Sequence, residues 1–361
     1  MQPEPSRRLL FVDWLMQPER SRRLLFVDRL MQPERSRRLL FVDRLMQPER
    51  SRRLRLWIQF LIPHSQFLIN SRNFTHMRAE HFNMDEFIEH ALFEDLKNEG
   101  DHTTLACVPP KAERRARLLV KEDGIIAGIE VARKVFAKVD PKLMMEVFVK
   151  DGDAVKYGDE AFYVSGSARS ILTAERLVLN LMQRMSGVAT KANRVQALLK
   201  GTKAKVLDTR KTTPGMRYFE KWAVAIGGGT NHRYGLFDMI MIKDNHVDYA
   251  GGIPEAIQRV KDYLEAHCLD LKIEVEARNL EEVKAILKAG GVDRIMLDNF
   301  TPEATMEALK VIDGATETES SGGITESTIR AYAETGVDFI SMGALTHSVS
   351  SLDMSLKALA E

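Results

Sequence analysis

KIEVEARNLEEVKAILKAGGVDRIMLD, residues 272–298, sets a short apolar run, a helical stretch and a second short apolar run in line. Runs this short and this apolar fit strands covered on both faces, and a helix between two of them is how parallel neighbours are joined. The pattern recurs. AKVLD (204–208), FDMIMI (237–242), KIEVE (272–276), RIMLD (294–298), ATETES (315–320) and DFISMG (338–343) alternate with helical stretches. Six such units read as a parallel α/β barrel or as a doubly wound sheet.

The two architectures differ in where they send the unusual residues. Each run ends in polar or charged groups: Asp208-Thr209-Arg210-Lys211, Lys243-Asp244-Asn245-His246, Glu274 with Glu276, Asp298-Asn299, Glu319-Ser320-Ser321, and Gly343 through His347. A barrel gathers all of these ends at one rim, where barrels place their chemistry and where the last two loops commonly hold phosphate. No GxGxxG or P-loop follows any run, which weighs against a dinucleotide-binding sheet. The expected fold is a parallel α/β barrel over residues 201–361. A smaller N-terminal α+β domain precedes it over 77–200, with part of 300–361 packing back on it.

Upstream, MDEFIEHALFEDL (84–96) has helical periodicity and stops before a turn at Gly100. RARLLVKEDGIIAG and MEVFVKDGDAVKYGDEAFYVSGSA then read as strands joined by Asp-Gly turns, an antiparallel module over about 109–168. Residues 171–199 form a long helical pattern with an expected break at Ser186-Gly187. Leu177, Leu181 and Met185 make its apolar stripe, and Arg176, Asn180, Gln183 and Gly187 make a polar one, read first as a solvated face or an interface.

The first 76 residues are of another kind. A 15-residue unit, MQPERSRRLLFVDRL in its cleanest copy, starts at Met1, Met16, Met31 and Met46. Its third-position proline interrupts any continuous helix, and its LLFV runs are too short to span a bilayer. Near-identity at every position fits a duplicated coding segment, with a natural start at Met77 or Met84; a targeting segment or a basic interaction arm are the other readings. The arm holds 15 Arg, no Lys and 7 acidic residues, a net +8, inside a chain whose overall charge is +1. The remainder is therefore −7, which does not suit nucleic acid. Two cysteines, Cys107 and Cys268, are too few for a disulfide framework and point to a reducing, cytoplasmic setting, and no stretch suits a membrane span.

On the rim, Arg210, Lys211, Arg233 and Lys243, with His232 as a possible fifth, face Glu276 and Asp298, so the site should prefer an anion. SSGGIT (320–325) and MGALTH (342–347) offer N–H groups, hydroxyls and an imidazole to phosphate. Glu276 and Asp298 read either as partners of the lysines or as a Mg²⁺ site completed by substrate phosphate. Lys243 has a rival role as the Schiff-base lysine of an aldolase. A basic-arm scaffold or nucleic-acid protein is the non-enzyme alternative.

GDHTT (100–104), AERLVLNLMQRMSGVAT (174–190), DTRKTTPGMR (208–217), GGGTNHRYGL (227–236), IKDNH (242–246), EVEA (274–277), LDNF (297–300), SGGIT (321–325) and SMGALTHS (341–348) together resemble quinolinate phosphoribosyltransferase, also called nicotinate-nucleotide pyrophosphorylase (carboxylating). Related families lacking decarboxylation or tied to molybdenum transport share several rim features, and the NHR and DTRKTTPG pair favours quinolinate. The resemblance covers about 84–361. It implies a type II phosphoribosyltransferase barrel, and transfer from phosphoribosyl pyrophosphate to quinolinate with Mg²⁺, giving nicotinate mononucleotide, pyrophosphate and CO₂ in NAD biosynthesis. It also implies a homodimer with shared sites. Carried over by motif, Arg210, Lys211, His232, Arg233 and Lys243 surround the quinolinate carboxylates and nearby phosphates, joined by Arg176 from the partner subunit. Lys211, Glu276 and Asp298 are the catalytic set, the two acids facing ribose and metal, directly or through water. Ser321, Gly322, Gly343 and His347 lie near a phosphate.

Overall fold

The computed structural model describes residues 82–359. The repeats and every reading attached to them lie outside those residues. Asn83 opens helix α1 (Met84–Leu96) by accepting the Glu86 N–H at 3.2 Å, and Asp101 opens α2 (His102–Cys107) through the Thr104 N–H at 3.0 Å. Such caps satisfy donors that a first helical turn leaves unpaired.

Strands β1 (Glu113–Val120), β3 (Met144–Val147) and β5 (Glu160–Ser167) build an antiparallel sheet with β12 (Met354–Ala358), in the order β12-β1-β5-β3. A short ladder of β2 (Gly124–Ile125) with β4 (Ala154–Val155) lies beside it. Between β2 and β3 the sequence reading assigned no helix. The structure has one, α3 (Ile129–Val139), which buries Ile129, Val131, Ala132, Val135 and Phe136 on one side. Those positions repeat at three to four residues, and the strand-rich surroundings hid the period.

The central helix α4 (Ala168–Leu198) runs for 31 residues, and the expected break at Ser186-Gly187 does not occur. Both residues are docking notches. The Ser186 hydroxyl accepts the Ala127 N–H at 2.8 Å and donates to the Ala127 carbonyl at 3.1 Å. At Gly187 an added Cβ would stand 2.2 Å from the Ser350 carbonyl oxygen. Gln183, on the same polar stripe, donates to the Met354 carbonyl at 2.9 Å while its own carbonyl accepts the Leu352 N–H at 3.0 Å. That half of the stripe is the track on which the C-terminal segment lies, rather than a wet face.

Six parallel strands follow: β6 (Lys205–Leu207), β7 (Ile240–Ile242), β8 (Ile273–Ala277), β9 (Arg294–Asp298), β10 (Glu317–Ser321) and β11 (Phe339–Ser341), ordered β6-β11-β10-β9-β8-β7. Helices α5 (Arg217–Ile226), α6 (Asp244–Ala250), α7 (Ile253–Ala266), α8 (Leu280–Ala289), α9 (Pro302–Ile312), α10 (Ile329–Glu334) and the short α11 (Ala344–His347) alternate with them, giving the α/β barrel. Beyond β6 the sheet continues by one parallel bridge, Leu207 to Thr230. The stretch between Thr230 and β7, which joins no ladder among the described residues, carries His232 and Arg233. One apolar core joins the antiparallel sheet, α3 and α4 to β6 and β11; a second fills the space between β7–β9 and α7–α9. The barrel interior is unusually polar, because Glu274, Glu319 and Arg294 are buried there where barrels commonly stack branched apolar residues.

Candidate active site

The strand ends open into one cavity of about 900 Å³. Eleven of the twelve site residues expected from the sequence line it: Arg210 and Lys211 after β6, His232 and Arg233 in the unpaired stretch, Lys243 after β7, Glu276 on β8, Asp298 on β9, Ser321 and Gly322 after β10, and Gly343 with His347 after β11. Arg176 does not. It stands exposed on α4, outside the cavity lining of its own chain.

Charge in the cavity is unevenly paired. Among the described residues no carboxylate reaches ion-pair distance of Arg210, Lys211 or Arg233 (Lys243 Nζ, by contrast, sits 3.7 Å from Glu276 Oε2). Arg210 Nε is buried with no hydrogen-bond partner. Burial, and then the neighbouring Arg210, push the Arg233 guanidinium below its ordinary pKa. An anion relieves each of these tensions at once. Lys243 is half exposed and faces a carboxylate, whereas a Schiff-base lysine needs a dry site that keeps it neutral, so the aldolase alternative loses its footing.

Across the cavity, burial raises the carboxyl of Glu276, and Asp298 adds to the rise; Asp298 is raised by burial as well, with Lys243 opposing. Two oxygen-donor acids whose ionisation burial makes costly in an open cavity fit a hard divalent cation such as Mg²⁺, which their Lys243 neighbour only partly replaces. Asn299, in the left-handed region at φ 57, donates to Asp298 at 2.7 Å. It also makes Gly322 obligatory, since a Cβ there would stand 2.2 Å from Asn299 Oδ1. Opposite, Gly343 leaves room for two side chains, since a Cβ there would meet Lys211 Cδ at 2.9 Å and His347 Cδ2 at 3.1 Å. Side-chain-free backbone thus lines both loops.

His232 is held from two sides. Its Nε2 lies 2.9 Å from Glu274 Oε2 and 3.4 Å from Glu319 Oε2, and its Nδ1 accepts the Arg233 N–H at 2.6 Å. Burial disfavours a charged ring, but Glu274 and Glu319 outweigh it and raise the pKa to about 9. The acid pair thus favours a charged ring whose Nε2 hydrogen faces the carboxylates; a proton on Nδ1 as well requires the ring or the 232–233 peptide to turn, because the Arg233 N–H points at that atom. The ligand atoms of His232, Glu274 and Glu319 lie within 4.8 Å of one another. Arg294 Nη1 already neutralises Glu319 at 3.0 Å, so the trio is an ion network rather than a metal centre.

Beneath the stretch lies a clamp that sequence reading left without a role. Asp208 and Lys221, both fully buried, are paired. Asp208 accepts the His232 N–H at 2.8 Å and Asn231 Nδ2 at 2.6 Å, while Lys221 Nζ donates to the His232 carbonyl at 3.1 Å. Burial pulls the carboxyl up and the ammonium down, and each opposes the other's drift. Glu274 and Glu319 were visible only as strand-end acids; their alternation with Glu276 and Ser321 at two-residue spacing was the signal that they face the barrel interior.

An α/β barrel whose rim carries unpaired cations, facing acids and two glycine loops is the site of a transferase acting on a substrate with several anionic groups. The quinolinate phosphoribosyl transferase N-terminal domain matches residues 101–186, and the C-terminal domain of the same family matches 188–357. The chain belongs to the quinolinate phosphoribosyltransferase family. It is 47% identical over 290 residues to quinolinate phosphoribosyltransferase [decarboxylating] 2, mitochondrial, of Nicotiana glauca, covering 76% of this chain and 82% of that protein. It is 38% identical over 276 residues to the probable nicotinate-nucleotide pyrophosphorylase [carboxylating] of Bacillus subtilis, covering 76% and 93%. The crystal structure of NadC from Streptococcus pyogenes superposes with a TM-score of 0.73 at 39% identity, over 77% of this chain and 97% of that one.

Proposed function

We propose that this chain transfers a phosphoribosyl group from phosphoribosyl pyrophosphate to the ring nitrogen of quinolinate and releases CO₂, forming nicotinate mononucleotide and pyrophosphate for NAD synthesis. The observation that carries the reading is the cavity's charge: among the described residues Arg210, Lys211 and Arg233 have no carboxylate at ion-pair distance, and they share the cavity with Glu276 and Asp298. Arg210, Arg233 and Lys243 would hold the two quinolinate carboxylates and aim the nitrogen at ribose C1, while Lys211 would reach a neighbouring phosphate from its loop. Gly322, Gly343, Ser321 and His347 would hold phosphate oxygens, and His232 would reach a carboxylate once its ring turns. Glu276 and Asp298 would face the positive charge that grows on C1 as its bond to pyrophosphate breaks. The new C–N bond makes a pyridinium, which stabilises the ring carbanion left when the adjacent carboxylate departs as CO₂; a proton then fills that position. Mg²⁺ is proposed on Glu276 and Asp298, directly or through water, where it would neutralise the pyrophosphate leaving group. The chain's own contribution is orientation and field.

We further propose a homodimer in which Arg176, exposed on α4, completes the partner's cavity. No helix among the described residues is long and apolar enough to cross a membrane. Both cysteines are free, which supports a reducing compartment; a cytoplasmic site is the proposal, and fractionation tests it against the mitochondrial and chloroplastic names that several plant relatives carry. The decisive assay is CO₂ release requiring quinolinate, phosphoribosyl pyrophosphate and Mg²⁺ together. Release that ignores any one of them sinks the reading.

A further inference from the structure

Two of the cavity's loops are tied together from behind by a closed circuit of hydrogen bonds. Glu220 on α5 is fully buried and accepts the Thr213 N–H at 3.0 Å and the Thr213 hydroxyl at 2.8 Å. Arg184 on α4 donates to Glu220 through Nε at 3.0 Å and Nη2 at 2.7 Å. The same guanidinium reaches the Thr346 carbonyl at 2.5 Å and the Val349 carbonyl at 3.1 Å. Thr346, itself buried, closes the ring by donating its hydroxyl to the Lys211 carbonyl at 2.8 Å. One loop carries Lys211 into the cavity and the other carries Gly343 and His347, and they touch where Gly343 lacks a Cβ.

A buried ion pair of this kind is a poor stabiliser, because desolvation cancels most of its attraction and apolar side chains of similar size do as well. Its value lies in the geometry that it imposes on four donors and acceptors at once. We infer that Arg184, Glu220 and Thr346 are positioning residues, which hold the Lys211 loop and the Gly343–His347 loop at the separation that a phosphate of phosphoribosyl pyrophosphate requires. The inference deepens the proposed function and rests on it.

The test measures KM for each substrate by CO₂ release, together with the melting temperature, in Glu220→Gln, Thr346→Val and the double variant Arg184→Leu/Glu220→Leu. Thr346→Val removes one bond of the circuit without burying a charge, and the double variant removes both charges. The expected result is a KM for phosphoribosyl pyrophosphate raised about tenfold or more in all three, as loop misplacement does, with a much smaller rise for quinolinate. The double variant should melt above Glu220→Gln and still not regain its KM. Were the two KM values to move together, or the KM to recover along with the melting temperature in the double variant, the circuit would be plain scaffolding and the inference overturned. A wild-type protein without activity overturns the functional reading and the inference with it, whereas active wild type with unaffected variants overturns the inference alone.

Discussion

Glu276 and Asp298 show how one side chain can be legible and still ambiguous. Their place at strand ends marks them as rim groups, yet ion pairing and metal binding need the same carboxylates. The structure narrows the choice: only Glu276 has a lysine within reach, at 3.7 Å, and Asp298 is held by an amide. Glu276→Gln and Asp298→Asn should each keep the melting temperature near wild type and lower kcat by roughly a hundredfold, the usual cost of removing one group aimed at developing charge. Steady-state kinetics at saturating substrates, with a thermal melt alongside, decide it; kcat values close to wild type would return Glu276 to simple ion pairing and leave Asp298 a structural acceptor for Asn299. Lys211 and Arg210 are named from the sequence as site residues and Asp208 only as a strand-end group, whereas Lys221 goes unnamed, because a lysine inside a helix gives no hint that it is fully buried.

At the scale of elements, α4 is where reading and structure part most clearly. Glycine lowers helix stability by about 1 kcal/mol, which agrees with the break expected there from the sequence. Packing overrides the propensity, since the close approach of the Ser350 carbonyl requires a missing side chain. Gly187→Ala should therefore destabilise the protein by about 1–3 kcal/mol although alanine is the better helix former. A higher melting temperature for that variant would show the contact to be slack.

A second element-scale prediction concerns the joint between β10 and β11. Asp338 accepts the Thr318 N–H at 3.0 Å, the Thr318 hydroxyl at 2.7 Å and Lys203 Nζ at 2.7 Å. Burial alone would raise its pKa, but these partners prevail and lower it. A carboxylate lowered on folding adds stability above its unfolded value of about 3.9, and that share fades as pH falls through the folded value. The gap in stability between wild type and Asp338→Ala should thus be full at neutral pH and shrink on acidification, as urea titrations at several pH values would reveal. A gap constant with pH would assign the effect to packing.

For the whole molecule, the two family domains match residues 101–186 and 188–357. Deleting residues 1–76 should leave both turnover and melting temperature unchanged; a truncated protein that precipitates or loses activity would give the arm a folding role. The proposed sharing of sites makes a sharper forecast. Mixing Arg176→Ala with Lys211→Ala subunits at random yields dimers in which one site carries both lesions and the other none, so about a quarter of all sites should recover activity. Mixed dimers as inactive as their parents would place Arg176 in its own subunit's chemistry or in none.

Short apolar runs ending in charge determined the six parallel strands, the barrel and nine of the residues that line its cavity, because strand period and rim chemistry are local properties written in consecutive residues. Tertiary structure decided what depends on distant partners. The helix Ile129–Val139 forms against a core that its own residues do not reveal, and α4 passes unbroken through Gly187 because Ser350 lies against it. His232 is fixed between the Arg233 N–H, which points at Nδ1, and the Glu274 and Glu319 carboxylates, which face Nε2. Arg184, Glu220 and Thr346, far apart along the chain, act together only after folding has removed water from between them, and that shared burial is what gives their hydrogen bonds the power to fix two loops.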